Sequence, residues 1–172
     1  MTVPPLDAEI APGLRLRTLT PDDASLLVEA TATETGRAVW GPYPAGPYTP
    51  AQAREALHAW SGDQTSFALV DGSVLLAAFG LMREPGDTAE LAYWVPPPHR
   101  RHGYATLGLR FLTSWSLSAG GLRRVWLEID PANTASQSVA GGAGFRYENR
   151  IRDHCRNPDS GAPHDCLIYS KP

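Results

Sequence analysis

The residues best suited to chemistry lie between Val95 and Ala105. Here Val95-Pro96-Pro97-Pro98-His99-Arg100-Arg101-His102-Gly103-Tyr104-Ala105 gathers two arginines and two histidines around one glycine. The residues before it, Ala89 to Val95, are mostly apolar, include Tyr93 and Trp94, and read as a strand. The prolines stop that strand's ladder, because proline has no N–H to donate. Helical spacing then runs from about Tyr104 to Ala119. A strand that breaks into a basic turn and then a helix start suits a phosphate group. The first helical N–H groups lack partners, and the helix dipole puts partial positive charge there. Gly103 lets the backbone approach a ligand that a side chain would hold away. The same residues also fit a basic loop that merely caps a helix. No Gly-Lys-Ser/Thr follows, so this is not a Walker loop. One glycine stands where a dinucleotide fingerprint needs three.

Arg100-Arg101-His102-Gly103-Tyr104-Ala105 resembles the pyrophosphate-binding signature of the GNAT superfamily of acetyltransferases: Arg or Gln, two residues, Gly, one residue, Gly or Ala. Asp130-Pro131-Ala132-Asn133-Thr134-Ala135-Ser136-Gln137-Ser138-Val139, closing on Gly144-Phe145, resembles the family's second signature, Asn-x-x-Ser before a short helix. Glu90-Leu91-Ala92-Tyr93-Trp94 and a final strand from Asp165 to Tyr169 are similar to the RimJ/RimL-like branch, which acetylates protein N-termini.

The resemblance implies acetyl-CoA as co-substrate and no metal. It sets the pyrophosphate on Arg100, Arg101, His102, Gly103, Tyr104 and Ala105. It sets the pantetheine arm along the backbone of Trp94 and Val95, between strands that splay apart, with Asn133 and Ser136 beside it. Ser136, with Ser138 next, is the expected proton donor to the leaving thiolate. Many members use a late-helix tyrosine where this chain has Ala140. Asn133 and Ser136 are equally suited to capping a helix. Glu90 is the expected base, acting through water, or else an ordinary strand-end carboxylate; Glu128 is the alternative. The expected reaction is direct transfer to a primary amine. A protein α-amine, with a pKa of about 7.7–8.0 against about 10.4 for lysine, needs less help from a base. Alternatives are a small-molecule amine of the aminoglycoside or polyamine type, or an acyl-CoA sensor without turnover.

The elements that must position these residues are legible in outline. Residues 1–12 read as a loose lead-in to a single domain over 13–172. Gly13 to Leu19 alternates as a strand, and Thr20-Pro21-Asp22-Asp23 carries cap, proline and acids for a helix with Ala24, Leu27, Val28 and Ala32 inward. Gly36 to Pro50, with Trp40, Tyr43 and Tyr48, reads as a packed loop or as one wall of an acceptor pocket. Thr49-Pro50 starts a second helix through Ala53, Leu57 and Trp60. Ser66 to Val70, Val74 to Met82 and Ala89 to Val95 form an antiparallel meander, its first turn at Asp71-Gly72. Tyr104, Gly108, Phe111, Leu112, Trp115 and Ala119 make the core stripe of the following helix. Arg124 to Asp130 then returns parallel to the cradle strand. The expected fold is α/β (α+β), GNAT-like, with a mixed, mostly antiparallel sheet of about seven strands and helices on both faces.

Composition sets outer limits. The chain has 172 residues, 42% hydrophobic and 19% charged, as in ordinary globular proteins. A net charge of −3 argues against general nucleic-acid binding. No apolar run reaches the roughly 20 residues of a bilayer span, and Met1-Thr2-Val3-Pro4-Pro5 lacks signal-peptide character, so a cytoplasmic location is expected. The expected partners are acetyl-CoA and an amine acceptor, with a homodimer left open. Cys155 and Cys166 flank a hairpin tip at 157–161; a cytosolic disulfide between them is disfavoured, and with His154 and His164 they match no standard zinc spacing.

Overall fold

The computed structural model describes residues 4–35, 39–40, 43–44, 46–59, 64–156 and 160–172. Its frame is an eight-stranded sheet in the order β1 (Asp7–Ala11), β2 (Leu14–Thr18), β5 (Gln64–Asp71), β6 (Val74–Glu84), β7 (Thr88–Trp94), β8 (Arg124–Ile129), β10 (Pro163–Lys171), β9 (Arg146–Arg156). All neighbours pair antiparallel except β7 and β8, the pair joined by the crossover helix α3 (Tyr104–Ser118). The short strands β3 (Val39–Trp40) and β4 (Tyr43–Pro44) pair with each other. The meander β5–β6–β7 takes the expected form.

The segment read as a loose lead-in instead contains β1. Ala8 and Ile10 pack against the core while Asp7 and Glu9 are exposed, an alternation confined to five residues, and the strand is held by backbone pairing from Asp7↔Arg17 to Ala11↔Leu14.

Apolar alternation fixes which helices cover which face. One cluster joins Leu16, Phe67, Phe79, Leu91, Leu109, Leu112, Val125 and Leu127 beneath α3 and α4 (Thr134–Gly142). The other sets Leu27, Ala53, Ala56 and Leu57 of α1 (Ala24–Thr31) and α2 (Pro50–Ala59) against Ala68, Val70 and Ala78. The entry to α1 is a short 3-10 turn, Pro21–Asp23, where Thr20 and Asp23 bond each other's backbone as a capping box. Asp23 is buried against ionisation, yet its bonds from Arg17 and Thr20 hold its carboxyl below the usual range. Thr31, not Ala32, completes the inward face of α1.

Two readings shift by a fraction of a helical turn or a strand. The inward face of α3 is Ala105, Gly108, Leu109, Leu112, Thr113 and Ser116, while Tyr104, Phe111 and Trp115 lie at its margin. Small residues face in because α3 packs closely on β6: a Cβ at Gly108 would overlap the Phe79 ring. Cys155 and Cys166, expected to stay apart, are joined as a disulfide between β9 and β10. An irregular register brings them together: His164 pairs with Cys155 but Cys166 pairs with Ile151, and Asp153 takes φ 52 within the bulge.

Candidate active site

The site begins where two parallel strands part. β7 pairs with β8 only through Thr88↔Arg124, Ala89↔Val125 and Glu90↔Trp126. Past Glu90, β7 stays paired to β6 as far as Trp94, and β8 stays paired to β10 as far as Ile129. The sheet therefore opens into a gap flanked by Leu91 to Trp94. Strand edges at such a gap offer backbone groups to an extended, amide-bearing ligand.

The cradle lies at the wide end of the gap. After Trp94 the chain passes through a 3-10 turn, Pro97–His99, and enters α3 with Gly103 as N-cap at φ 81. Arg101, at φ 65, also takes the left-handed conformation. The first bond of α3 runs from the Leu107 N–H to the Gly103 carbonyl, 2.9 Å. The amides of Tyr104, Ala105 and Thr106 precede it and have no helical partner. A Cβ at Gly103 would meet no atom within 4 Å, so the space above the turn is open. Arg101, His102 and Gly103 are exposed around it, and Ala105 is buried beneath it. The His102 ring stacks on Tyr104 at 5.7 Å, and its Nδ1 lies 2.8 Å from the Arg100 carbonyl.

Arg100 points elsewhere than expected. Its Nε donates to the Val95 carbonyl at 3.0 Å and a terminal nitrogen donates to Glu34 Oε2 at 2.6 Å. Trp94 Nε1 donates to the same carboxylate oxygen at 2.7 Å. The Glu34 side chain is only 1% exposed. Arg100 and Trp94 thus grip a buried acid just beyond α1, tying that loop to the cradle. Glu34 has no motif to mark it, and only its distant partners reveal it. The side chains of 36–45, part of the segment read as a packed loop or as one wall of an acceptor pocket, lie outside the described residues, as do Trp60 and residues 157–159; Tyr48 is buried.

The donor side of the site holds a residue that sequence reasoning missed. Asn133 caps α4, its side chain accepting from the Ser136 N–H at 3.0 Å. This leaves the Ser136 hydroxyl free to turn toward β7, where it bonds the Tyr93 hydroxyl. The two hydroxyls meet across the gap, one from β7 and one from the helix after β8. Burial pushes the Tyr93 hydroxyl's pKa up, more than its bond to Ser136 lowers it, so it holds its proton at neutral pH. The signal available in sequence was parity: Tyr93 shares a face with Ala89 and Leu91, which turns it toward α4. Ser138 instead donates to the Thr134 carbonyl at 3.0 Å within its own helix.

Glu90 sits in the same strand but on the opposite face, which separates it from Tyr93 and Ser136. Burial, then the nearby carboxylates of Glu128 and Glu84, push its pKa up to about 7. A carboxyl poised there exchanges protons readily near neutrality. Glu128 lies instead against the cysteine pair.

A gap between diverging parallel strands, with a helix N-terminus and open glycine turn at its mouth, defines an acyl-CoA-type site on a mixed sheet. The chain belongs to the acetyltransferase (GNAT) domain family, whose description matches residues 13–146. It is 32% identical over 92 residues to the uncharacterized N-acetyltransferase YoaA of Bacillus subtilis, a stretch covering 54% of this chain and 51% of that protein. The match thus spans about half the length of that curated relative. Two solved structures share the fold. One is RimL, a ribosomal L7/L12 α-N-protein acetyltransferase in complex with coenzyme A, with TM-score 0.82, 16% identity and coverage of 96% and 97%. The other is a spermidine N-acetyltransferase chimera from Vibrio cholerae, with TM-score 0.73, 16% identity and coverage of 92% and 94%. No helix among the described residues is long and apolar enough to cross a membrane.

Proposed function

We propose that this protein transfers the acetyl group of acetyl-CoA directly to a primary amine, the leading acceptor being the α-amine of a protein N-terminus. The observation that carries the reading is the parting of β7 from β8 beyond Glu90, immediately before the open turn at Gly103. The diphosphate would rest on the Tyr104 to Thr106 amides with Arg101 and His102 beside it. The pantetheine arm would lie along Leu91 to Val95, bringing the thioester to the Tyr93 and Ser136 hydroxyls. Attack by the neutral amine forms the new C–N bond and breaks the C–S bond. The thiolate then takes a proton from the hydroxyl pair, and the amine loses one, through water, toward Glu90.

The α-amine is favoured because a substantial fraction is neutral near pH 7, so one carboxylate at about 7 is base enough. The likeness in fold to RimL supports the same acceptor class. A polyamine is the second reading, supported by the spermidine enzyme's shared fold and by the chain's net charge of −3. Coenzyme A release measured with N-terminal peptides and with free polyamines separates them. A higher kcat/KM on peptides supports the protein acceptor. A higher value on polyamines replaces it, and no release with any amine removes the catalytic reading.

A further inference from the structure

We propose that Cys155, Cys166, His164 and Glu128 form a zinc site when the two cysteines are reduced, on the β9–β10 side of strand β8. One ligand atom from each of Cys155, His164 and Cys166 lies within 4.8 Å of the others. The fourth ligand comes from a third strand: Glu128 Oε1 is 2.6 Å from Cys155 Sγ and 3.2 Å from Cys166 Sγ. Once the cysteines are reduced, this carboxylate is within reach of any cation that the two sulfurs hold.

His164 is oriented as metal-bound histidines are. Its Nε2 pairs with Asp130 Oδ2 at 3.0 Å, and its Nδ1 is buried with no hydrogen-bond partner. A carboxylate holding one ring nitrogen sets the tautomer that presents the other as a lone pair. His154 Nε2, 3.4 Å from Glu128 Oε2, supports the fourth ligand in the same way. Two thiolates, one imidazole and one carboxylate around a tetrahedral centre are a soft, closed donor set that suits Zn2+ over Mg2+ or Ca2+.

Sequence spacing concealed the site because the β9–β10 bulge builds it. Alternation puts His164 and Cys166 on one face of β10, and the register shift brings Cys155 opposite His164. A tetrahedral zinc holds two sulfurs roughly 3.8 Å apart. Opening the disulfide permits this without separating the strands, whose cysteine Cα atoms are 5.7 Å apart. Reduction by a water-soluble phosphine gives two thiols: the disulfide gains two electrons and two protons, and the phosphine takes an oxygen from water. Zinc then displaces one proton from each thiol.

The test is metal binding by the whole protein, reduced with the phosphine under nitrogen. Zn2+ is titrated against a chromophoric chelator, and Co2+ is added as a spectroscopic stand-in. The expected result is one equivalent of tightly held Zn2+ and a Co2+ spectrum with thiolate charge-transfer and tetrahedral ligand-field bands. The Cys155→Ser/Cys166→Ser variant should lose both, with an unchanged circular dichroism spectrum. Asp130→Asn, which keeps all four ligands, should weaken binding by about 10–100-fold. The proposal is overturned if the reduced protein takes up no metal, if the double variant binds equally, or if the cysteines resist the phosphine. Coenzyme A binding is measured on the same samples; the double cysteine variant leaves Glu128 and the β8 edge of the gap unchanged, so it should bind coenzyme A as the wild type does.

Discussion

At the scale of single residues, two groups would govern the proposed proton traffic. Tyr93 and Ser136 share a hydrogen bond between hydroxyls, and in the proposed reaction they would act as one donor. Tyr93→Phe and Ser136→Ala should each lower kcat by roughly 100-fold with CoA affinity unchanged, and the double variant should fall little further. Steady-state kinetics with calorimetric CoA binding checks this; an additive double variant would mean independent roles. Glu90 supplies a pH signature. Its folded pKa of about 7 lies above the ordinary 4.5, so between those values the folded form holds a proton that the unfolded form has lost. Stability therefore falls as pH rises through that window, by on the order of 1–3 kcal/mol. Glu90→Gln should remove this slope in urea melts at stepped pH. It should also remove the ionisation near 7 from the kcat profile.

At the scale of elements, close packing and turn chemistry decide. Gly108→Ala places a methyl group into the Phe79 ring, where α3 lies on β6. Overpacking of this kind should cost about 1–3 kcal/mol although alanine is the better helix former, and a lowered Tm at unchanged CoA stoichiometry would show it. How far sequence reached follows the same physics. The meander, the crossover and α3 were readable because periodicity and turn residues such as Asp71-Gly72 are local signals. The strand β1 was not, since its alternation of exposed Asp7 and Glu9 with half-buried Ala8 and Ile10 runs for only five residues. Tyr93 was overlooked because its contact with Ser136 depends on α4 folding back across the gap. Arg100 was read as a phosphate ligand because nothing local announces its partner Glu34, 66 residues earlier.

At the scale of the whole molecule, the sheet is a frame covered on both faces, with α3 and α4 beneath the cofactor gap and α1 and α2 against the other face. Glu34, in the loop after α1, accepts from Trp94 and Arg100 and so ties that loop to the turn before α3. The gap, the helix start and the Ser136 hydroxyl belong to successive parts of one chain, and only the assembled sheet brings them together. The most direct test is titration calorimetry with coenzyme A on the wild type and on Gly103→Trp. The account predicts one exothermic site in the wild type and none in the variant, with the variant's circular dichroism close to wild type and its Tm lowered only by the left-handed backbone at position 103. No heat with the wild type, or equal affinity in a folded variant, would contradict it.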